Sequence, residues 1–193
     1  MQRQIYFPQF CGSFWPSSDA LSNYFLTPEG TDQTFSGGND GWSLSIAGLY
    51  GTEHLIRYTE DPRNPEGTAV EAHLTAWFNP QLGVLLGYSK FGGGYGEHYF
   101  SVGDLSQLTL WVYTLHGDLR PIGLFIPHSK AWTAVKEFMD REGELPNAIE
   151  WIASRDLPAN TFPDPQAKVP TIETAGYPWD RDPNWWDKNT PAV

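Results

Sequence analysis

A chain of 193 residues with 40% apolar side chains, nine Trp, nine Tyr and eleven Phe can bury one sizeable core, which excludes a disordered chain and favours one domain. Twelve Lys and Arg against 23 Asp and Glu leave a net charge of −11, which argues against direct nucleic-acid binding and suits either plain solubility or a basic protein partner. A single cysteine, Cys11, permits no intrachain disulfide, and neither a cationic-then-apolar leader nor a run of about 18 apolar residues is visible, so a cytoplasmic protein without signal peptide or membrane span is expected.

Residues 1–40 scatter Tyr6, Phe7, Phe10, Phe14, Trp15, Tyr24 and Phe25 among Pro, Ser and Gly, and read as an extended segment laid over a core. From Gly41 the pattern sharpens. Trp42, Leu44 and Ile46 alternate with Ser43 and Ser45, predicting a strand, and Leu55 and Arg57 predict a second. Asp61 to Gly67 is a polar loop with strong turn chemistry. Val70, Ala72, Leu74, Ala76 and Phe78 mark one face of a long strand, which Asn79 to Gly83 turn into Val84–Tyr88. After the glycines at 92–96, residues 98–102, 108–115 and 122–126 each read as further strands.

The stretch from Pro127 to Ile152 is the one segment that reads clearly as a helix. Ala131, Val135 and Phe138 fall on one apolar face, with Trp132 and Met139 widening the stripe. Ser129 is the expected N-cap, Gly143 the left-handed stop, and Pro146 prevents resumption. Ile149 and Trp151 then alternate as one face of a short strand. These elements predict an α+β fold: a mainly antiparallel curved sheet or sandwich of about six to eight strands, with one principal helix over about 129–142. Val135, Phe138, Ile149 and Trp151 are the expected structural core. The domain spans 1–155. Seven prolines break up most of residues 156–193, yet Phe162, Tyr177, Trp179, Trp185 and Trp186 are costly to leave in water. This tail should therefore pack on the domain or on a partner.

Catalytic motifs are weak. Gly92, Gly93, Gly94 and Gly96 fit neither dinucleotide nor phosphate-loop spacing and read as a hairpin loop. The five histidines show no zinc-ligand spacing, so neither metal nor cofactor is expected. Glu97 and His98 would point to opposite faces of a strand, which argues against an acid–base pair. Cys11 with a distant histidine makes a poor nucleophile pair, and no serine sits in a GxSxG turn. No catalytic residue is assigned. Tyr95 and Glu97 in the glycine-rich loop, and Trp179, Asp180 and Asp182 in the tail, are the candidate partner contacts. Trp151 fits either the core or a partner anchor, and the 179–187 run either an adhesive surface or a clamp on its own domain.

The order of strands, helix and Gly143-x-x-Pro146-x-x-Ile149-x-Trp151 resembles the first-numbered immunity-protein family of bacterial polymorphic toxin systems. The likeness also includes the helical run Ala131 to Phe138 and the hairpins over Leu74–Tyr88 and Leu108–Ile126, and covers roughly residues 42–152. The aromatic N-terminal segment and the Pro-rich tail depart from that pattern. The resemblance implies a cytoplasmic antidote without an active site, which binds and blocks a cognate toxin C-terminal domain. Such toxins are often deaminases or other enzymes acting on nucleic acid or nucleotides, and an acidic protein suits their basic clefts. The rival readings are a carbohydrate- or ligand-binding β-module, drawn from the aromatic content, and a small hydrolase-like enzyme using Glu97 with His98, or Cys11.

Overall fold

The computed structural model describes residues 1–7, 10–58 and 68–189. The chain is α+β. Its main sheet holds β1 (Gln2–Phe7), β2 (Phe10–Gly12), β3 (Gly41–Leu49), β4 (Val70–Asn79), β5 (Gly83–Gly92), β6 (Tyr95–Ser101), β9 (Phe125–Ile126) and β10 (Trp151–Ala153). Their order is β10-β6-β5-β4-β3-β1-β2, and β9 pairs with β5. All these pairings are antiparallel. β7 (Trp111–Tyr113) and β8 (Leu119–Pro121) form a separate two-stranded sheet.

Period-two burial decides which layer covers which face. On β3, β4 and β5 the side chains of Leu44, Ile46, Ala72, Leu74, Ala76, Phe78, Val84, Leu86 and Tyr88 are buried in one cluster. Helix α3 (His128–Asp140) covers them with Ala131, Trp132, Ala134, Val135 and Phe138, and α1 (Ser18–Leu26) adds Leu21 and Phe25. Leu85 and Phe100, which point to the other face, join Val112, Ile122, Leu124 and Phe125 in a second, smaller cluster. The β7–β8 hairpin therefore covers one end of the back of the sheet. Farther along that face Ser43, Ser45, His73, Thr75 and Ser89 are only partly covered.

Several sequence expectations need correction. Residues 1–40 are no extended segment: they form the β1–β2 hairpin, α1, α2 (Pro28–Gln33) and a 3-10 turn at Ser36–Gly38. Ser17 caps α1 through a bond to the Ala20 amide, and Thr27 caps α2 through the Gly30 amide, with Pro28 at its first position. Glu53–Tyr58 is 3-10 helix, not strand. The strand expected over 108–115 shortens to Trp111–Tyr113 behind a 3-10 turn at Leu105–Gln107, and 122–126 is a 3-10 turn followed by β9. The polar loop at 61–67 lies outside the described residues.

The helix itself begins one residue earlier than Ser129. Pro127 occupies the cap position and offers no side-chain acceptor. The helix ends two residues before the expected 142, at Asp140; Glu142 (φ 50°) is the first left-handed residue and Gly143 (φ 90°) the second, and the Gly143 amide bonds back to the Phe138 carbonyl at 2.8 Å. The last strand starts later than expected, at Trp151. Ile149 lies outside it, and both residues are partly buried against the main core, whereas Val135 and Phe138 are fully buried. The Trp151 indole donates to the Pro146 carbonyl at 2.7 Å, so the proline after the helix serves as acceptor as well as stop.

The tail lies on the domain. Trp111 exchanges backbone hydrogen bonds with Pro170 (3.0 Å) and Ile172 (2.8 Å), and its indole donates to the Thr161 carbonyl at 2.9 Å. Tyr177 is buried against Phe35, at 5.2 Å between ring centroids, and Trp179 stacks on Tyr177 at 4.7 Å. Two short helices, α4 (Pro178–Arg181) and α5 (Trp185–Asn189), close the described chain. No helix among the described residues is long and apolar enough to cross a membrane.

Candidate functional site

Sheet register sets the environment of Tyr95 and Glu97. A two-residue turn at Gly93–Gly94, both at positive φ, joins β5 to β6 and pairs Gly92 with Tyr95 and Lys90 with Glu97. Lys90 continues the face that carries Leu86 and Tyr88, so its stem runs beside the core and its side chain is only 7% exposed. At the rim, three chain segments converge on its ammonium. It bonds to the Tyr50 hydroxyl and to Glu144 Oε2 (3.3 Å), and the Tyr50 hydroxyl bonds to Glu144 Oε1. The Tyr50 and Tyr95 ring centroids lie 4.8 and 4.7 Å from Nζ. The two rings sit 5.8 Å apart and tilted by 31°.

Electrostatics holds this cluster in one charge state. Burial opposes the Lys90 charge, but hydrogen bonds to Tyr50 and Glu144, with the Glu144 charge, outweigh it and raise its pKa above the ordinary lysine value. Burial likewise raises Glu144, yet the bonds from Tyr50 and Lys90 prevail and hold its carboxyl below the usual range. Burial and the Glu144 hydrogen bond raise the Tyr50 phenol. Lysine and glutamate therefore remain an ion pair through neutral pH, and neither is a poised acid or base.

The backbone adds a further mark. Tyr50 adopts φ of 57° at the end of β3, a left-handed conformation costing about 1–3 kcal/mol for a residue with a bulky side chain. Its hydroxyl bonds hold it there. The result is a fixed tyrosine pair with 55% of Tyr50 and 40% of Tyr95 open to solvent. Large, stiff and amphipathic rings of this kind are the usual anchors of protein interfaces.

The tail candidates lie elsewhere. Tyr177 bonds to Asn79, at the far end of β4 and β5 from the Gly93–Gly94 turn. The candidates predicted from the sequence thus form two patches at opposite ends of ten-residue strands, roughly 30 Å apart at about 3.3 Å per residue. Asp180 accepts from the Gly176 and Tyr177 amides (2.7 and 3.0 Å) and caps α4. Asp182 accepts from the Asn184 amide (3.0 Å) and Lys188 (2.6 Å). Trp179 is stacked between neighbours in sequence, with Trp186 also at 4.7 Å. These three residues build the tail's own structure, so the patch reads as a clamp. Its rings face one another, which is not the open row a sugar platform uses.

Tyr50, Lys90 and Glu144 were missed by sequence reasoning. Residues 50, 90–95 and 144 meet only through the sheet, and the one local signal was a Tyr-Gly turn after an alternating strand. Glu97 and His98 do diverge: Glu97 shares the face of Lys90, and the His98 ring packs on Phe100 at 4.6 Å. Cys11 is exposed on β2 at the opposite edge of the sheet. No group of three or more metal-ligating side chains occurs among the described residues.

One histidine has a ring nitrogen held away from water. His128, at the start of α3, packs by Phe78 and beside a cleft of about 380 Å3 lined by Phe25, Phe35, Asp32 and Arg181. Its Nε2 is buried without a partner among the described residues, and burial pushes its pKa down. A folded-state histidine pKa below the unfolded value makes stability present above about pH 6.5 and lost as pH falls from there toward the folded pKa. Burial lowers His98 in the same direction. Asp40 acts oppositely and at lower pH, because burial raises its carboxyl despite the Leu115 amide and the nearby His116 and Arg120 charges. The melting temperature should therefore drop between pH 7.5 and 5.5, and His128→Phe should flatten part of that drop. An unchanged pH slope in that variant would remove His128 as its source.

Comparison with known proteins returns no match: no family model, no curated protein and no solved structure matches the chain.

Proposed function

We propose that this chain is the antidote of a bacterial toxin system, acting in the cytoplasm by binding a toxin catalytic domain and blocking it, without turnover of its own. The observation that carries the reading is the exposed tyrosine pair Tyr50–Tyr95, locked from beneath by the buried Lys90 and by Glu144. Such a platform has little side-chain freedom left to lose on binding, which favours a tight complex. Support also comes from the net charge of −11, which accelerates encounter with a basic enzyme acting on nucleic acid or nucleotides, a deaminase being one such enzyme. The helix followed by Gly143-x-x-Pro146-x-x-Ile149-x-Trp151, with the left-handed Gly143 and the Pro146–Trp151 bond in place, is the part of the chain that resembles the immunity family.

The test is co-expression in a sensitive cell with the C-terminal domain encoded by the adjacent gene. Survival together with a stable complex in pull-down is expected. Tyr50→Ala and Tyr95→Ala should each weaken that complex by tenfold or more, about 1.4 kcal/mol. Tyr95→Ala should leave the melting temperature nearly unchanged, whereas Tyr50→Ala should also lower it, because Lys90 and Glu144 lose a hydrogen-bond partner. Raising salt from about 50 to 500 mM should slow association several-fold and alter dissociation little, because contacts at separated charges are screened and buried ring contacts are not. Survival without a complex would overturn blocking in favour of an enzyme that modifies the toxin or reverses its product.

A further inference from the structure

We propose that the outer edge of β6 at Gly96–His98 is a strand-docking slot, which takes an extended segment of the protein partner with a basic residue opposite Glu97. The slot arises because β10 is too short to cover its neighbour. β10 pairs with β6 only through Trp151–Ser101, Ile152–Phe100 and Ala153–Tyr99, after which the chain turns off into a 3-10 turn at Ser154–Asp156. β6 itself runs four residues farther, back to Tyr95.

Antiparallel geometry says which backbone groups are left over. Residues on a strand present their N–H and C=O alternately to one neighbour and to the other. The two-residue turn makes Gly92–Tyr95 a hydrogen-bonded pair, so Tyr95, Glu97 and Tyr99 face β5. The opposite parity is fixed independently, because the Val102 amide bonds to the Glu150 carbonyl on the β10 side at 3.0 Å. Phe100, His98 and Gly96 therefore present their backbone outward. Phe100 has Ile152 opposite it; Gly96 and His98 have no ladder partner among the described residues. A cleft of about 340 Å3 lies along this edge, walled by Gly96–Tyr99 on one side and Ala153–Arg155 on the other. A side chain at Gly96 would meet nothing within 4 Å, so the sheet face over this position is open to the flank of an incoming strand.

The fold already contains the arrangement the slot calls for. β6 pairs with β5 from Gly87 to Gly92, and β9 takes up the same side of β5 at Val84 and Leu85. Two segments thus lie end to end along one strand. An incoming strand would stand to β10 as β9 stands to β6. The other edge of the sheet offers less. β2 covers residues 5–7 of β1.

Side chains fix the kind of segment. Glu97 lies on the platform side of β6, next to Tyr95, so a strand in the slot is continuous with the tyrosine pair. Glu97 pairs in register with Lys90, whose ammonium is turned to Tyr50 and Glu144, and no salt bridge is formed between them. A cationic side chain on the incoming strand, opposite Glu97, would complete that charge. Main-chain bonds to Gly96 and His98 would supply affinity, and the position opposite Glu97 would supply selectivity. The proposal deepens the blocking reading and rests on it for the identity of the partner, though not for the slot.

Two arms test it. In the first, the intact chain is used to select from a phage-displayed library of linear nonapeptides, and the amides of Gly96 and His98 are followed by hydrogen exchange with a synthesised winner. Expected are winners with a basic residue within an alternating pattern, at least tenfold slower exchange at both amides, and loss of binding in Gly96→Pro. Proline there removes an outward N–H and no bond within the sheet. To separate the lost N–H from any disturbance of the turn by Gly96→Pro, Glu97→Gln is measured as well and should weaken the same peptides several-fold. No enrichment, or winners that leave both amides unprotected, overturns the slot. In the second arm the toxin domain from the adjacent gene replaces the peptide. A complex without protection at Gly96 and His98 overturns the slot and leaves blocking intact. If no complex forms, the blocking reading falls and the peptide arm alone decides the slot. Protection that appears only as the chain dimerises would assign the edge to a second copy and overturn the proposal.

Discussion

Phe138→Ala is expected to lower stability by about 3–5 kcal/mol, the usual cost of emptying a buried aromatic site. Phe138 is fully buried on α3, with Trp15 at 5.6 Å and Tyr88 at 6.3 Å between ring centroids. It joins the N-terminal segment, the helix and the sheet at one point, so no single element can collapse into the void. Trp151→Ala removes a larger ring but a less buried one, and breaks its bond to Pro146. Its cost should be smaller, about 2–3 kcal/mol. Urea unfolding reads both as shifts in midpoint at constant slope. A loss under about 1 kcal/mol for Phe138→Ala would contradict the packing described. A null effect for Trp151→Ala would move that ring from the fold to the partner surface.

The difference between these two residues shows how far the sequence could be read. The 3.6-residue stripe of α3 and the alternation of β4 are repeated many times, and each repeat reports the same buried face. Val135, Phe138, Leu74 and Phe78 were therefore legible. Boundaries depend on single residues. Pro127 took the cap position from Ser129 because the chain enters the helix straight from β9, and β10 begins at Trp151 because only there does the chain reach β6. The first 40 residues were misread for another reason. The apolar residues of α1 are Ala20, Leu21, Tyr24, Phe25 and Leu26, a helical spacing only nine residues long, hidden among prolines and aromatics.

The site was less legible than the fold because its parts are distant in sequence. Tyr95 and Glu97 were expected to project from a glycine-rich loop; the turn is only Gly93–Gly94, and both residues lie on β6, which begins at Tyr95. Lys90 lies beyond the expected strand Val84–Tyr88 and carried no local signal. Its role depends on register with Glu97, on the positive φ of Tyr50, and on the turn that brings Glu144 back after Gly143. The tail candidates show the opposite case. Trp179, Asp180 and Asp182 lie close in sequence, but each is engaged by other tail residues: Trp179 by Tyr177 and Trp186, Asp180 by the Gly176 and Tyr177 amides, and Asp182 by Asn184 and Lys188.

Truncation after Leu157 should therefore act on the fold before it acts on any partner, with a loss of roughly 4 kcal/mol or more. The deletion removes Tyr177, 8% exposed, whose burial alone contributes about 1.5–3 kcal/mol. It also strips Trp111 of the Thr161, Pro170 and Ile172 bonds, and takes the Thr174 hydroxyl from Asn79 (3.0 Å). Each buried group left unpaired costs about 1–3 kcal/mol unless water reaches it. Ordering the tail opposes these gains, but its many prolines leave less freedom to lose. A shorter cut, after Gly176, keeps the Trp111 bonds and the Thr174–Asn79 bond while removing the aromatic clamp on Phe35, the Tyr177–Asn79 bond and the Arg181–Asp32 ion pair, so it should cost less. Thermal unfolding of the two truncations against the full chain separates the contributions. A full-length melting temperature in the chain ending at Leu157 would show that residues 158–189 are laid on the domain without holding it.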